Sequence, residues 1–129
     1  MLLRRHLAEF LGTALLVMAV VGSGIMATNL SDDAGIQLLA NAVATGGALF
    51  GLITIFGPVS GASFNPVVSV IGHVLDGGGS LVRLVADIIA QFAGAVVGCW
   101  VANAMFSRDR KSTRLNSSHI PLSRMPSSA

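Results

Sequence analysis

The most informative stretch of this 129-residue chain is Gly57-Pro58-Val59-Ser60-Gly61-Ala62-Ser63-Phe64-Asn65-Pro66-Val67-Val68, whose polar side chains are Ser60, Ser63 and Asn65. Asn65 before Pro66 marks a helix start. Asn is favoured at the N-cap, where its side-chain oxygen accepts from first-turn N–H groups, and Pro is favoured at the first helical position. Glycines ahead of the pair let the backbone bend and approach its neighbours closely. The apolar run from Pro66 to Leu75 predicts a short helix that ends in Asp76, Gly77, Gly78 and Gly79. Such a helix aims the positive end of its dipole, and its unsatisfied N–H groups, back at the loop. At a pore entrance that end orients water oxygens and repels cations. In a surface loop the same Asn-Pro pair would be an ordinary cap.

The remaining reactive side chains point away from catalysis. No nucleophile is placed with a base, no carboxylates are paired for acid–base work, and no glycine loop is built to cradle phosphate, so an enzyme is not expected. His6, His73 and His119 are scattered without metal-ligand spacing, and Cys99 has no second cysteine to pair with, so neither a metal nor another cofactor is expected. Met18, Met26 and Met105 read as packing residues. Two acidic residues stand out. Glu9 opens an apolar stretch, where a carboxyl must be paired or face a polar interior, unless it lies among headgroups beside Arg5, four residues earlier. Asp87 follows Arg83 by four residues, the spacing of an interfacial ion pair.

The elements that must position these residues are membrane helices. Hydrophobic residues make up 53% of the chain and charged residues 11%, against about a quarter charged in soluble domains. Three stretches, near 7–27, 38–56 and 82–106, approach the roughly 20 apolar residues needed to cross the hydrocarbon. The run Pro66 to Leu75 is too short to span, so residues 57–76 read as a re-entrant loop and half-helix. A loop at membrane depth must satisfy its backbone inside protein or against a water-filled cavity. The fold expected is an all-α membrane protein of three transmembrane helices plus one re-entrant half-helix, in a single unit over residues 1–107. Two small-xxx-small pairs, Gly47 with Gly51 and Gly94 with Gly98, predict close helix packing.

Charge placement sets the orientation and excludes one partner. Arg4, Arg5 and His6 precede the first span and Arg83 opens the third, which predicts a cytoplasmic N-terminus. Glu9 and the length of the following run favour a retained span over a cleaved signal. Arg108, Arg110, Lys111, Arg114 and Arg124 all fall in 108–129, so the basic balance comes from the tail and the body offers no basic face for nucleic acid. The tail lacks apolar periodicity, and Lys111 to His119 looks like translated adaptor or frame-shifted sequence, so 108–129 is expected to be disordered or non-native.

The stretch Ser60-Gly61-Ala62-Ser63-Phe64-Asn65-Pro66-Val67-Val68 resembles the first signature loop of the major intrinsic protein family, the aquaporins and aquaglyceroporins, usually Ser-Gly-Ala-His-x-Asn-Pro-Ala-Val. Ser63 and Val67 depart from it, standing at the usual histidine and alanine. Ala8-Glu9-Phe10-Leu11-Gly12-Thr13 is similar to the family's first-span motif, and Ala90-Gln91 with Gly94 to its third span. The resemblance covers residues from about Leu7 to Phe106 and implies one inverted repeat of a pore built from two such halves.

It further implies that Asn65 donates to permeating molecules at mid-membrane and that the carbonyls of Gly61, Ala62, Ser63 and Phe64 form an acceptor ladder. Pro66 and Val67 would stand where two half-helices meet. Glu9 and Gln91 would brace the loop. Thr45, 20 residues before Asn65, aligns with the position where water-selective members carry a bulky aromatic, so a wider, more polar filter is expected. The implied partners are a lipid bilayer, the missing second half, water and small neutral solutes of glycerol or metalloid-hydroxide type, and further copies in a homotetramer. The implied location is a bacterial inner (plasma) membrane. Thr45 could alternatively face a neighbouring helix and bond a backbone carbonyl. A different class of function, a polytopic assembly protein relying on small-residue faces, would tolerate loss of Asn65. A subunit of an ion-driven transporter would want ionisable residues at the bilayer centre, which the second and third spans lack.

Overall fold

The computed structural model describes the backbone of residues 1–117 and the side chains of residues 1–107. The described residues form four helices: α1 (Leu2–Leu30), α2 (Ala34–Ser60), α3 (Pro66–Leu75) and α4 (Leu81–Ser117). Three of them, counting α4 over Leu81–Ser107, are long and apolar enough to cross a membrane, while α3 is a short apolar helix. This is the all-α arrangement of three spans and a half-helix expected above. Helix α4 continues past Ser107, where the third span was expected to have ended. The rest of the polar tail, 118–129, lies outside the described residues.

Capping chemistry sets the turn between α1 and α2. Asp33 is the N-cap of α2 and accepts from the Ile36 N–H at 2.9 Å, while the Gln37 side chain donates to the Ser31 carbonyl at 2.6 Å. The far end of α2 differs from the sequence expectation. Gly57 to Ser60, read as the start of the re-entrant loop, remain helical, with Pro58 inside the helix. Proline forfeits its own N–H bond and crowds the carbonyl four residues earlier, but its φ is already helical, and the helix runs on until Gly61. There φ reaches 88° and the Gly61 N–H closes the last turn on the Gly57 carbonyl at 2.9 Å. The loop is therefore only Gly61 to Asn65.

Helix α1 is the centre of the packing: it contacts α2 on one side and α4 on the other, and α3 leans on α4. At the α1/α4 seam, a β-carbon added at Gly94 would overlap the Phe10 carbonyl, and one at Gly98 would overlap the Ala14 carbonyl. Numbers rise together along that seam, so the two helices run parallel. Close backbone approach substitutes for the hydrophobic drive that lipid does not supply. The Gly47 and Gly51 pair does not pack: nothing lies within 4 Å of a β-carbon at either. The outer faces carry exposed Leu38, Val43, Phe50, Val96 and Trp100, side chains suited to contact with hydrocarbon.

The seam supplies a direct test. Gly98→Leu forces α1 and α4 apart and should destabilise the chain by about 3 kcal/mol, read as a lowered unfolding midpoint in detergent. Gly47→Ala should leave the midpoint unchanged or slightly raised.

Candidate pore-loop site

The site is organised by Glu9, which is 0% exposed on α1. Its Oε1 accepts from the Ser60 hydroxyl at 2.6 Å and the Ser63 backbone N–H at 3.2 Å. Its Oε2 accepts from the Phe64 N–H at 2.8 Å and from Gln91 Nε2 at 2.8 Å. Four donors on two oxygens is the pattern that an acceptor-only group satisfies. One carboxyl thus joins α1, the end of α2, the loop and α4. The alternative of a solvated Glu9 among headgroups beside Arg5 is overturned by this burial. Gln91, also 0% exposed, donates in addition to the Ser69 hydroxyl of α3 at 2.8 Å.

The loop needs these bonds because its backbone is unfavourable by itself. Gly61 adopts positive φ without penalty, but Ala62 (51°) and Phe64 (49°) are also left-handed, at roughly 1–2 kcal/mol for each side-chain-bearing residue. The Ser60 hydroxyl accepts from the Ala62 N–H at 3.1 Å, so each loop N–H from Ala62 to Phe64 has a side-chain acceptor. The Phe64 ring supplies the apolar anchor. It is buried with Leu52 and Ala62, beside Leu16 and Phe56, and meets the Phe56 ring edge-on at 6.0 Å. Gly12 makes room, since a β-carbon there would overlap that ring.

Asn65 caps α3 with its oxygen: Oδ1 accepts from the Val67 N–H at 2.9 Å. That bond orients the amide so that the Nδ2 donor is the end left for other partners, and the residue is exposed. Val67 is also exposed, Pro66 is half-buried at the first turn, and α3 has no buried residue along its length. Beneath the loop, between α3 and the start of α4, lies a polar cavity of about 370 Å³ lined by Ser60, Ser63, Ser69, His73, Asp76 and Arg83, among others.

Two placements differ from the sequence expectations. Asp87, which is buried, does not pair with Arg83; it accepts from Arg5 Nε at 2.9 Å and faces His6 Nδ1 at 2.7 Å. Because α1 and α4 are parallel and begin at the same end, Arg5 and His6 stand level with Asp87 across the seam; Arg83, like Arg5 and Asp87, lines the cavity. Thr45 belongs to a second polar cluster: its hydroxyl donates to Asn41 Oδ1 at 3.3 Å, and the same oxygen accepts from Ser23 Oγ at 2.8 Å. The structure therefore brings Glu9, Gln91, Ser63 and Phe64 together and places Thr45 elsewhere. Ser69 and the Gly12–Phe64 fit were not singled out from the sequence. Ser69, four residues after Asn65, was the available signal for the former; the latter required the packing.

The profile described as Major intrinsic protein matches residues 1–125. The chain belongs to this family. It is 52% identical over 105 residues to Aquaglyceroporin AqpS of Rhizobium meliloti (strain 1021), covering 81% of this chain and 45% of that protein. It is 37% identical over 100 residues to Aquaporin TIP1-2 of Musa acuminata, covering 75% of this chain and 39% of the relative. Aquaporin TIP2-1 of Arabidopsis thaliana is 38% identical over 102 residues, covering 77% of this chain and 40% of the relative. The chain spans less than half the length of each. Family membership together with the three apolar helices identifies an integral membrane protein.

Glu9→Gln replaces one acceptor oxygen by a donor, which faces either the Phe64 and Gln91 N–H groups or the Ser60 hydroxyl and Ser63 N–H. A loss of at least about 2 kcal/mol in stability is expected. Protease sensitivity between Gly61 and Asn65 should rise in the same variant, and unchanged sensitivity would refute the bracing role.

Proposed function

We propose that this chain forms one half of a passive pore for water and small uncharged solutes, completed by a second half of similar build. The observation that carries the reading is the Asn65 cap. With Oδ1 committed to Val67 N–H, the amide presents Nδ2 at the positive end of α3, where a solute oxygen is oriented and a cation is repelled. The carbonyls of Gly61, Ala62, Ser63 and Phe64 supply acceptors along the approach, and the polar cavity below them serves as the vestibule. Ser63 keeps that vestibule wider than histidine would, and exposed Val67 and Pro66 meet the opposing half-helix. Arg4, Arg5 and Arg83, at the ends where α1 and α4 begin, support a cytoplasmic N-terminus, and a bacterial plasma membrane fits the Rhizobium meliloti relative. The open Gly47–Gly51 face of α2 supports further close helix contacts, with the second half or between copies of a homotetramer.

The solute class follows from Thr45, read as facing the outer constriction. Its small, hydroxylated side chain makes that side of the filter wide and polar, which suits glycerol-sized or metalloid-hydroxide-type neutral solutes as well as water. The relative at 52% identity bears the name aquaglyceroporin.

Stopped-flow measurements on proteoliposomes test both levels. The chain alone should give no flux above background, and the channel completed by its second half should conduct. In that channel Asn65→Leu should abolish most water flux; retained flux would favour an assembly role. Thr45→Phe should cut glycerol flux by about tenfold while water flux stays within about twofold, since diameter discriminates first. Unchanged permeability to both would remove Thr45 from the filter.

A further inference from the structure

The cluster around Asn41 leaves one polar group unused. Asn41 Oδ1 accepts two hydrogen bonds, from Ser23 Oγ of α1 at 2.8 Å and from Thr45 Oγ1, one turn further along α2, at 3.3 Å. A carbonyl oxygen has two lone pairs, so the acceptor end of the amide is saturated and its orientation is fixed from two helices at once. The amide nitrogen has no hydrogen-bond partner among the described residues. It sits beside Gly24 of α1, where an added β-carbon would touch it at 3.6 Å, so the glycine leaves that side of the nitrogen without a side chain over it. Both Asn41 and Thr45 are half-buried.

The bonding also polarises Thr45. Its hydroxyl proton is committed to Asn41, so Oγ1 offers lone pairs to anything else. Residues four apart share a helix face. The α2 face that carries Thr45 therefore holds an N–H donor and an oxygen acceptor in fixed order, one helical turn apart.

The geometry points to Asn41 as a second specificity-determining residue of the outer constriction, its Nδ2 donating to a permeant oxygen while Thr45 Oγ1 accepts from a hydroxyl of the same solute. The class of solute that uses both is a neutral polyhydroxy compound with hydroxyls on neighbouring carbons. A single water can also bridge the two, its oxygen accepting while its O–H donates, but neighbouring waters in a file replace a bond that is lost, whereas a polyhydroxy solute has only its own hydroxyls to offer. This rests on the placement of Thr45 at the constriction proposed above.

The experiment measures glycerol and water flux separately in proteoliposomes of the completed channel and reads their ratio, which a loss of folded protein does not change. Asn41→Leu removes the donor at similar size, and Thr45→Val removes the hydroxyl at similar shape. Each should lower the glycerol-to-water ratio about fivefold, the effect of one lost hydrogen bond. Asn41→Thr, which keeps a donor, should return the ratio to within about twofold of the parent. Asn41→Ala replaces the leucine variant if that variant does not reach the bilayer. A lowered ratio in Thr45→Val with an unchanged ratio in Asn41→Leu overturns the role of Asn41 and leaves the filter placement standing. An unchanged ratio in both variants overturns the filter placement and this inference with it.

Discussion

Four hydrogen bonds to one buried carboxyl hold the re-entrant loop in place. Glu9 is reached by the Ser60 hydroxyl, the Ser63 and Phe64 amides and the Gln91 side chain. A loop at membrane depth cannot leave its N–H groups to lipid, because each unsatisfied group there costs several kcal/mol. A charged or polar group buried without partners would be as costly. Loop and carboxyl supply each other's hydrogen-bond partners. The left-handed backbone at Ala62 and Phe64 is tolerated for the same reason: the bonds that require it exceed the strain it stores.

The close approach of the helices follows from this constraint. For Glu9 to reach the loop and Gln91 together, α1 must lie against α4 with almost no side chain between them, and Gly94 and Gly98 allow that. For the loop to seat against α1, the Phe64 ring must enter a space that Gly12 leaves empty. Small residues here fit backbone to backbone and ring to backbone, which is how membrane helices gain contact energy without a hydrophobic drive. At the end where α1 and α4 begin, the pairing of Asp87 with Arg5 and His6 fixes the register of the same two helices.

Three polar clusters between helices differ in character. In the Glu9 cluster the carboxyl meets four donors, while Gln91 Oε1 is buried without a partner among the described residues. The Asp87 cluster borders the polar cavity. The Asn41 cluster ties α1 to α2 through Ser23. Asn65 stands apart from all three: its oxygen is used by its own helix and its nitrogen is not, so the half-helix that it caps also sets which of its atoms is left for other partners.

The three apolar stretches, the short helix after Asn65-Pro66 and the need of Glu9 for a partner or a polar interior were legible in the sequence, because span length, N-cap preference and the cost of a carboxyl in lipid are local properties; the loop as its partner was implied by the family resemblance alone. The helix bounds were less so. Nothing local stops α2 at Gly57 rather than Gly61, since Pro58 removes one donor without breaking the turn and the left-handed residue ends the helix. Partner choice was least legible. The i, i+4 spacing made Arg83 the expected partner of Asp87, and only the parallel packing of α1 on α4 decided for Arg5 and His6. Of two identical-looking glycine pairs, the fold used Gly94 and Gly98 and left Gly47 and Gly51 open. A sequence states which groups can pair and which residues are small. Which of them meet depends on the relative placement of helices, and that is set by the sum of contacts along whole helix faces.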